Sequence, residues 1–316
     1  MEIASGMFKI ESDFYGRMNN LHLLVGDGAV LLVDTGVTET IVSSLVPALA
    51  RLGVKRIDYI VNTHADLDHC GGNGAVAELF PGAVLVCQQD DQAWINDFTS
   101  LVEQRYDEYA VLGMPETQET KQFLFDITAS AAVTRTFADV LPIDLGGGWI
   151  VELRHAPGHS PGHLCVWDPR SAVSIIGDAV LLDGLYMADG APAFPPTYRY
   201  VRSYEETIAK IRSWGPAALA TAHYPDPTEP AHVTAFLDTT QRFVQDCRSR
   251  LLDALDTSEP KTLRALIDET GPQLGPWDAE ATNSLKFPIL GHLEELEATG
   301  DAVRRVIDAE TLWSRA

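Results

Sequence analysis

Four side chains that can bind a metal ion lie within six consecutive residues of this 316-residue chain. The segment reads His64-Ala65-Asp66-Leu67-Asp68-His69 and follows the apolar run Tyr59-Ile60-Val61 after only Asn62-Thr63. A loop that leaves the end of a strand can turn alternate side chains toward one point, as a centre with several metal ions requires. A polar turn whose acids cap the next helix is the alternative. Four such residues together favour the metal centre.

Three histidines at intervals of four residues form a second cluster, in His155-Ala-Pro-Gly-His159-Ser-Pro-Gly-His163. The two Pro-Gly steps are incompatible with a helix, so we predict an ordered loop between strands. Asp178 and His223 each follow an apolar run that is predicted to be a strand. A single Asp or His at a strand end is more often a cap. Both strands, however, belong to the layered domain that carries the first cluster, which favours a shared site.

The elements around these clusters alternate between strands and helices. Apolar runs on both sides of Gly26-Asp27-Gly28 predict a β-hairpin, and apolar residues at helical spacing predict a helix over 38–52. Further helices are expected over 72–80 and 200–214, and a loop over 184–199. This alternation indicates an α/β layered domain.

Residues 88–131 interrupt the alternation and carry aromatic residues at helical spacing, among them Trp94, Phe98 and Tyr106. We predict two helices around Gly113-Met114-Pro115, inserted between strands. An inserted helical pair beside a metal site would form a lid with an apolar wall. Such a wall favours an acyl or aromatic substrate.

The composition changes after Pro225-Asp226-Pro227, which predicts a catalytic domain over 1–228 and a helical domain over 229–316. The helical domain is expected to contain three helices followed by a β-ribbon, the element order of a winged helix. Its third helix, predicted over 282–299 with an interruption at Pro288, is acidic, whereas a helix that reads DNA needs basic residues. A structural cap or a homodimer face is therefore the preferred interpretation.

The charge balance restricts the partners of the chain. It has 23 Lys and Arg against 45 Asp and Glu, a formal net charge of −22. This field repels nucleic acid and anionic membrane surfaces, so neither is expected as a partner. No run approaches the roughly 18 apolar residues of a membrane-spanning helix, and no secretory signal is recognised. The four cysteines show no paired spacing, so a cytoplasmic location is expected.

Five motifs, taken in order, resemble those of the metallo-β-lactamase superfamily, closest in style to its glyoxalase II-like and lactonase-like hydrolases. The motifs are Asp34-Thr35-Gly36, the 64–69 cluster with Gly71-Gly72-Asn73, the 155–163 loop, Gly177-Asp178 and His223. The C-terminal segment resembles the winged-helix-like tail of thioesterase-like members. The resemblance implies an αββα sandwich of two mixed β-sheets with the metal site at one edge.

The resemblance also implies a centre with two divalent metal ions. The first would be bound by His64, Asp66 and His159, the second by Asp68, His69 and His223, with Asp178 bridging both. Asp34 would orient ligands through hydrogen bonds, and His163 would lie behind the ligands or at the surface. Zinc is the first expectation. The family pattern has His where this chain has Asp66, however, and a harder carboxylate donor favours iron or manganese, or else a weak first metal site.

The implied chemistry is hydrolysis of an ester-like carbonyl in a small molecule, namely a thioester, a lactone or an ester, by metal-bound hydroxide. Asp68 would hold the nucleophile and move its proton, and Tyr186 is a candidate proton donor to the leaving group. Three alternatives stay open: a redox member such as a di-iron oxygen reductase or sulfur dioxygenase, a nuclease, and a non-enzymatic metal-binding protein.

Overall fold

A computed structural model describes residues 1–316. Two mixed β-sheets stack face to face and helices cover both outer faces, so the chain folds as an αββα sandwich with a helical C-terminal region. The predicted fold class is confirmed. No helix is both long enough and apolar enough to cross a membrane.

The first sheet has seven strands that lie side by side in chain order. Neighbours are antiparallel up to the fourth strand and parallel from the fourth to the seventh. The strands are Glu2–Ala4, Met7–Ile10, Leu21–Val25, Val30–Val33, Tyr59–Val61, Val84–Gln88 and Arg135–Phe137. The third and fourth pair as the predicted hairpin. A minor pair, Asp13–Phe14 with Arg17–Met18, lies outside this sheet.

The second sheet has five strands, also in chain order: Val140–Asp144, Ile150–His155, Leu164–Asp168, Val173–Gly177 and Ala218–Thr221. The last pair is parallel and the others are antiparallel. Between the two sheets lies an apolar layer in which Leu31, Val61 and Val166 are fully buried. Because burial of apolar area is the dominant favourable contribution to folding, this layer fixes how the sheets face each other.

Helices complete the sandwich on both sides. A continuous helical stretch over 38–52 and helix Asn73–Leu79 pack on the first sheet through Ile41, Leu45 and Val76. Helix Val201–Trp214 packs on the second sheet. The sequence predicted all three to within one residue.

Four chemistry-bearing segments follow strands of two parallel pairs. In the first sheet, Asp34 directly follows strand Val30–Val33, and His64 comes shortly after the parallel neighbour Tyr59–Val61. Asp178 and His223 do so in the second sheet. Because the carboxyl ends of parallel strands meet at one edge, the topology brings these side chains together.

The insertion over 88–131 differs from its prediction. It contains six short helical segments instead of two helices: Gln89–Asp91, Gln92–Asn96, Phe98–Leu101, Val102–Tyr106, Glu108–Leu112 and Gln118–Asp126. Asp97 is extended and its side chain caps the segment that follows by accepting from Thr99 N, so the helix restarts there. Gly113 has a φ of 78° and ends another segment. The two-helix prediction is therefore wrong.

The C-terminal region has the predicted order of helices and ribbon. Its elements are Pro230–Ala254, Lys261–Thr262, Leu263–Leu274, Ala279–Thr282, Asn283–Leu285, Lys286–Thr299, Ala302–Ile307 and Glu310–Arg315. Pro288 does not interrupt the helix as expected, because it lies in the first turn, where its missing N–H is not needed. The predicted 184–199 loop also contains a short hairpin, Leu185–Tyr186 with Pro192–Phe194.

Candidate metal centre

One ligand group at the sheet edge consists of Asp68, His69 and His223. One donor atom from each lies within 4.8 Å of the others. The two imidazole Nε2 atoms are 3.2 Å apart, and Asp178 Oδ1 lies 3.4 Å from the His69 Nε2 and 3.2 Å from the His223 Nε2. The structure thus brings four of the predicted ligands together in one place.

The outer nitrogens of both imidazoles are held by hydrogen bonds. His69 Nδ1 donates to Asp34 Oδ2 at 2.8 Å, and His223 Nδ1 donates to the Met18 carbonyl at 2.7 Å. Both rings therefore direct Nε2 at the same point, which is how metal-ligating histidines are normally fixed. Asp34 also accepts from Thr63 N at 2.7 Å, so its own position is fixed.

This group fits a divalent metal ion. Two tetrahedral nitrogen ligands at metal–nitrogen distances near 2.0–2.1 Å would lie about 3.3 Å apart, close to the separation found. Asp178 Oδ1 is buried without a hydrogen-bond partner, as expected for an oxygen that awaits a cation. The donor set of two imidazoles and carboxylates suits zinc, iron or manganese.

The carboxylates around His69 and His223 raise the pKa values of both imidazoles. Burial by itself would lower the pKa of His69, but Asp178, Asp68 and Asp34 outweigh it and raise that pKa to about 10. The pKa of His223 is also raised, because Asp178 and Asp68 outweigh its burial. Both directions follow from the carboxylates that surround the two imidazoles.

A second ligand group lies beside the first and contains His64, His159 and Asp178, with donor atoms within 4.8 Å of one another. His64 Nδ1 contacts Thr63 Oγ1 at 3.0 Å, and its buried Nε2 has no partner. Burial and the neighbouring His69 lower the pKa of His64 to about 3, so the ring is neutral. His64 is therefore available as a donor.

Asp66 has a different environment from the other predicted ligands. Arg105 Nε donates to Asp66 Oδ1 at 2.5 Å, and Arg105 Nη2 donates to Asp66 Oδ2 at 2.9 Å. His159 Nε2 lies 2.8 Å from Asp66 Oδ2, and the Tyr106 hydroxyl donates to Asp66 Oδ1 at 3.2 Å. Burial would raise the pKa of Asp66, but the Arg105 charge outweighs it and holds that pKa well below its ordinary value. The role of Asp66 as a metal ligand stays a prediction.

His163 and His155 lie behind the ligands. His163 Nε2 accepts from the Asp178 backbone N–H at 3.0 Å, which positions the carboxylate that both groups share. His155 Nε2 donates to the Pro161 carbonyl at 2.8 Å, within its own loop. Neither imidazole has a donor atom in the two ligand groups.

Three residues contact the predicted ligands or their loops without having been predicted to do so: Asp91, Arg105 and Tyr106, the last of which was expected only as part of the aromatic stripe. All three come from the insertion over 88–131. Asp91 is buried, and it accepts from Ala65 N, Ser160 Oγ and Gly162 N, so it joins the two ligand-bearing loops. Arg105 and Tyr106 lie in the π-helical turn Val102–Tyr106. Such turns are frequent at functional sites, but this one is recognised only from the structure and not from the sequence.

Tyr186 lies on the short hairpin and is half-buried. Its hydroxyl donates to Asp183 Oδ1 at 2.6 Å. Burial and this carboxylate raise the pKa of Tyr186. Its assignment as a proton donor to the leaving group stays a prediction.

Comparison with known proteins identifies a family for most of the chain. The family model described as "Metallo-beta-lactamase superfamily" matches residues 15–223, which include both ligand groups. An uncharacterized protein of Bacillus subtilis is 27% identical over 209 residues, covering 65% of this chain and 82% of that protein. The coenzyme F420H(2) oxidase of Methanothermobacter marburgensis is 31% identical over 77 residues, covering 23% of this chain and 19% of that protein.

The fold is shared over almost the entire chain with a solved structure. A metallo-beta-lactamase family protein from Thermus thermophilus superposes with a TM-score of 0.77 at 21% identity, covering 99% of this chain and 100% of that one. The C-terminal region is thus part of the shared architecture.

Proposed function

The chain belongs to the metallo-β-lactamase superfamily, and from this premise we propose that it is a metal-dependent hydrolase that cleaves an ester-like carbonyl in a thioester, a lactone or an ester. The main support is the convergence of the Nε2 atoms of His69 and His223 with Asp68 and Asp178 at the sheet edge. Most members of this superfamily are metal-dependent hydrolases.

A divalent metal ion in this group would polarise a carbonyl oxygen and lower the pKa of a bound water. The protein's own part is to position groups around the reacting atoms. Asp68 is 23% exposed, whereas His69 and Asp178 are 6% exposed or less, so Asp68 is the ligand-group residue that best reaches an incoming substrate. Asp68 would orient the attacking water and accept its proton.

The charge of the chain supports a small substrate. A formal net charge of −22 repels nucleic acids and other polyanions, which disfavours the nuclease alternative. The cytoplasmic location and the absence of membrane partners stay predictions.

The C-terminal region is proposed to be a winged-helix-like structural cap. Arg199 donates to both carboxylate oxygens of Glu294 on helix Lys286–Thr299 at 2.6 and 2.8 Å, and to Glu108 of the insertion at 3.1 Å. Glu294 of this helix is therefore paired with an arginine of the same chain, as expected for a helix that packs against the catalytic domain. Size-exclusion chromatography with light scattering would test the homodimer that the sequence suggested for this region.

The hydrolase proposal is tested with metal-loaded protein and a panel of thioesters, lactones and aryl esters. At least one substrate should be hydrolysed, and Asp68→Asn should lower the rate by about 10²- to 10⁴-fold, because the carboxylate that binds the metal ion and accepts the proton is lost. Asp90→Asn, in an exposed acid outside both ligand groups, is the matched control. An inactive metal-loaded protein, or equal rates for both variants, would contradict the proposal.

A redox function is the second candidate. The partial similarity to the coenzyme F420H(2) oxidase and the carboxylate at position 66 favour it. The ion pair of Asp66 with Arg105 weighs against it, since the carboxylate is already paired. Iron bound by the purified protein, together with oxygen consumption in the presence of a reductant and no hydrolysis, would support this candidate over the first.

A further inference from the structure

Arg105 is a buried cation in contact with Asp66 and His159, two of the predicted ligands of the first metal ion. Its side chain is 3% exposed and lies in the π-helical turn Val102–Tyr106. The guanidinium contacts both carboxylate oxygens of Asp66 with two parallel N–H donors. Such a bidentate pair is the strong form of the Arg–carboxylate interaction.

The same guanidinium also engages His159. Arg105 Nη2 lies 3.1 Å from His159 Nε2, and Arg105 Nη1 donates to the His159 carbonyl at 3.2 Å. His159 Nε2 is 2.8 Å from Asp66 Oδ2 as well. Arg105, Asp66 and His159 therefore form one closed cluster, in which the His159 Nε2 contacts both the guanidinium and the carboxylate.

The donors left for a first metal ion are too few. His64, His159 and Asp178 do lie together, but the His159 Nε2 and the Asp66 carboxylate both contact Arg105, which leaves only His64 Nε2 and Asp178 without a contact to that cation. Asp178 Oδ1 lies 3.2–3.4 Å from the imidazoles of the other group. A catalytic metal site normally has three protein ligands, so the residues here do not fit a metal ion while Arg105 stays in place.

Charge gives an independent reason. Guanidinium cannot lose its proton in a protein, so Arg105 carries a permanent positive charge. It neutralises Asp66, the residue that departs from the family pattern. A divalent ion at the same place would be repelled by this charge in a buried environment, where screening by water is weak.

We propose that Arg105 takes the place of the first metal ion, and that the chain binds a single divalent ion at Asp68, His69 and His223 with Asp178. This replaces the expectation of two metal ions. This inference rests on the proposed function only in assuming the same metal centre. A metal count tests the number of ions, whereas a hydrolysis assay tests the activity, so each can fail without the other.

The test counts metal ions in the full-length protein. After saturation with Zn²⁺ and removal of free metal, elemental analysis should give about one zinc per chain. Titration of the metal-free protein with Co²⁺ should reach a constant visible absorbance at about one equivalent.

Arg105→Gln should raise both values to about two, because Asp66 and His159 become free to bind metal. Arg199→Gln is the matched control, since Arg199 is another buried arginine in a bidentate ion pair, but it lies outside both ligand groups. The control should keep the value of the unmodified chain.

Two zinc ions in the unmodified chain would overturn the inference, and so would none. This holds even if Arg105→Gln does not fold. A folded Arg105→Gln variant, verified by circular dichroism, that still binds one ion would also overturn it. One metal ion without hydrolysis would contradict the proposed function alone.

Discussion

Asp91 is predicted to be the main structural link between the two ligand-bearing loops. Its carboxylate accepts from the Ala65 backbone N–H at 3.1 Å, from the Ser160 hydroxyl at 2.6 Å and from the Gly162 backbone N–H at 2.7 Å. All of these groups are fully buried or nearly so. The first donor belongs to the loop of the 64–69 cluster, and the other two belong to the 155–163 loop.

Asp91→Ala would leave three buried donors without an acceptor. The Ser160 hydroxyl can rotate toward another acceptor, but the two backbone N–H groups cannot. Each of these two stranded backbone donors costs about 1–3 kcal/mol, so the free energy of unfolding should fall by roughly 2–6 kcal/mol. Asp91→Asn should cost less than the alanine variant, since it keeps one acceptor oxygen but presents an amide N–H₂ to donors.

The assay is equilibrium unfolding in urea, followed by circular dichroism in the presence of a chelator so that metal binding does not contribute. Asp97→Ala is the matched control, because Asp97 also accepts two hydrogen bonds, from Thr99 N and Ser100 Oγ, but at an exposed helix start. There water replaces the lost acceptor, so the cost should stay near 1 kcal/mol.

Comparing Asp91→Ala with Asp97→Ala tests whether burial of the hydrogen bonds causes the larger loss of stability. If Asp91→Ala costs no more than Asp97→Ala, the three buried hydrogen bonds do not hold the loops together and the reasoning is refuted. A large loss of stability for both variants would equally refute it, because the exposed cap would then matter as much as the buried link.

Two further predictions concern metal affinity and pH. Asp34→Asn should weaken metal binding about 10- to 100-fold because His69 loses its orienting carboxylate, as measured by competition with a chromophoric chelator. Asp168→Asn, in a fully buried carboxylate that accepts from Trp149 and Ser171 outside both ligand groups, should not change it. Burial lowers the pKa of His292 to about 3, so below about pH 6.5 the unfolded chain binds more protons than the folded one, and the free energy of unfolding should fall as the pH drops from 6.5 toward 4. His292→Gln, whose side-chain oxygen can take the place of Nε2 as acceptor for the Tyr198 hydroxyl, should flatten this slope by up to about 1.4 kcal/mol per pH unit in urea unfolding at several pH values, and equal slopes would contradict the assignment.

Much of the fold could be predicted because its signals are local. Apolar runs broken by glycine marked the hairpin of Leu21–Val25 and Val30–Val33, and helical spacing marked Val201–Trp214. The insertion over 88–131 was predicted poorly, since its short segments are set by Asp97, Gly113 and contacts with distant loops. A periodicity of aromatic residues does not distinguish two helices from six short ones.

The sequence by itself determined which side chains could bind metal, because ligand chemistry is a property of residue type and because strand ends gather such residues at one edge. Only the tertiary structure decided how they are used. Arg105 lies 39 positions from Asp66 and 54 from His159, and nothing in its immediate neighbours indicates the contact. A buried ion pair depends on which distant groups share a low-dielectric space, and that is a property of packing.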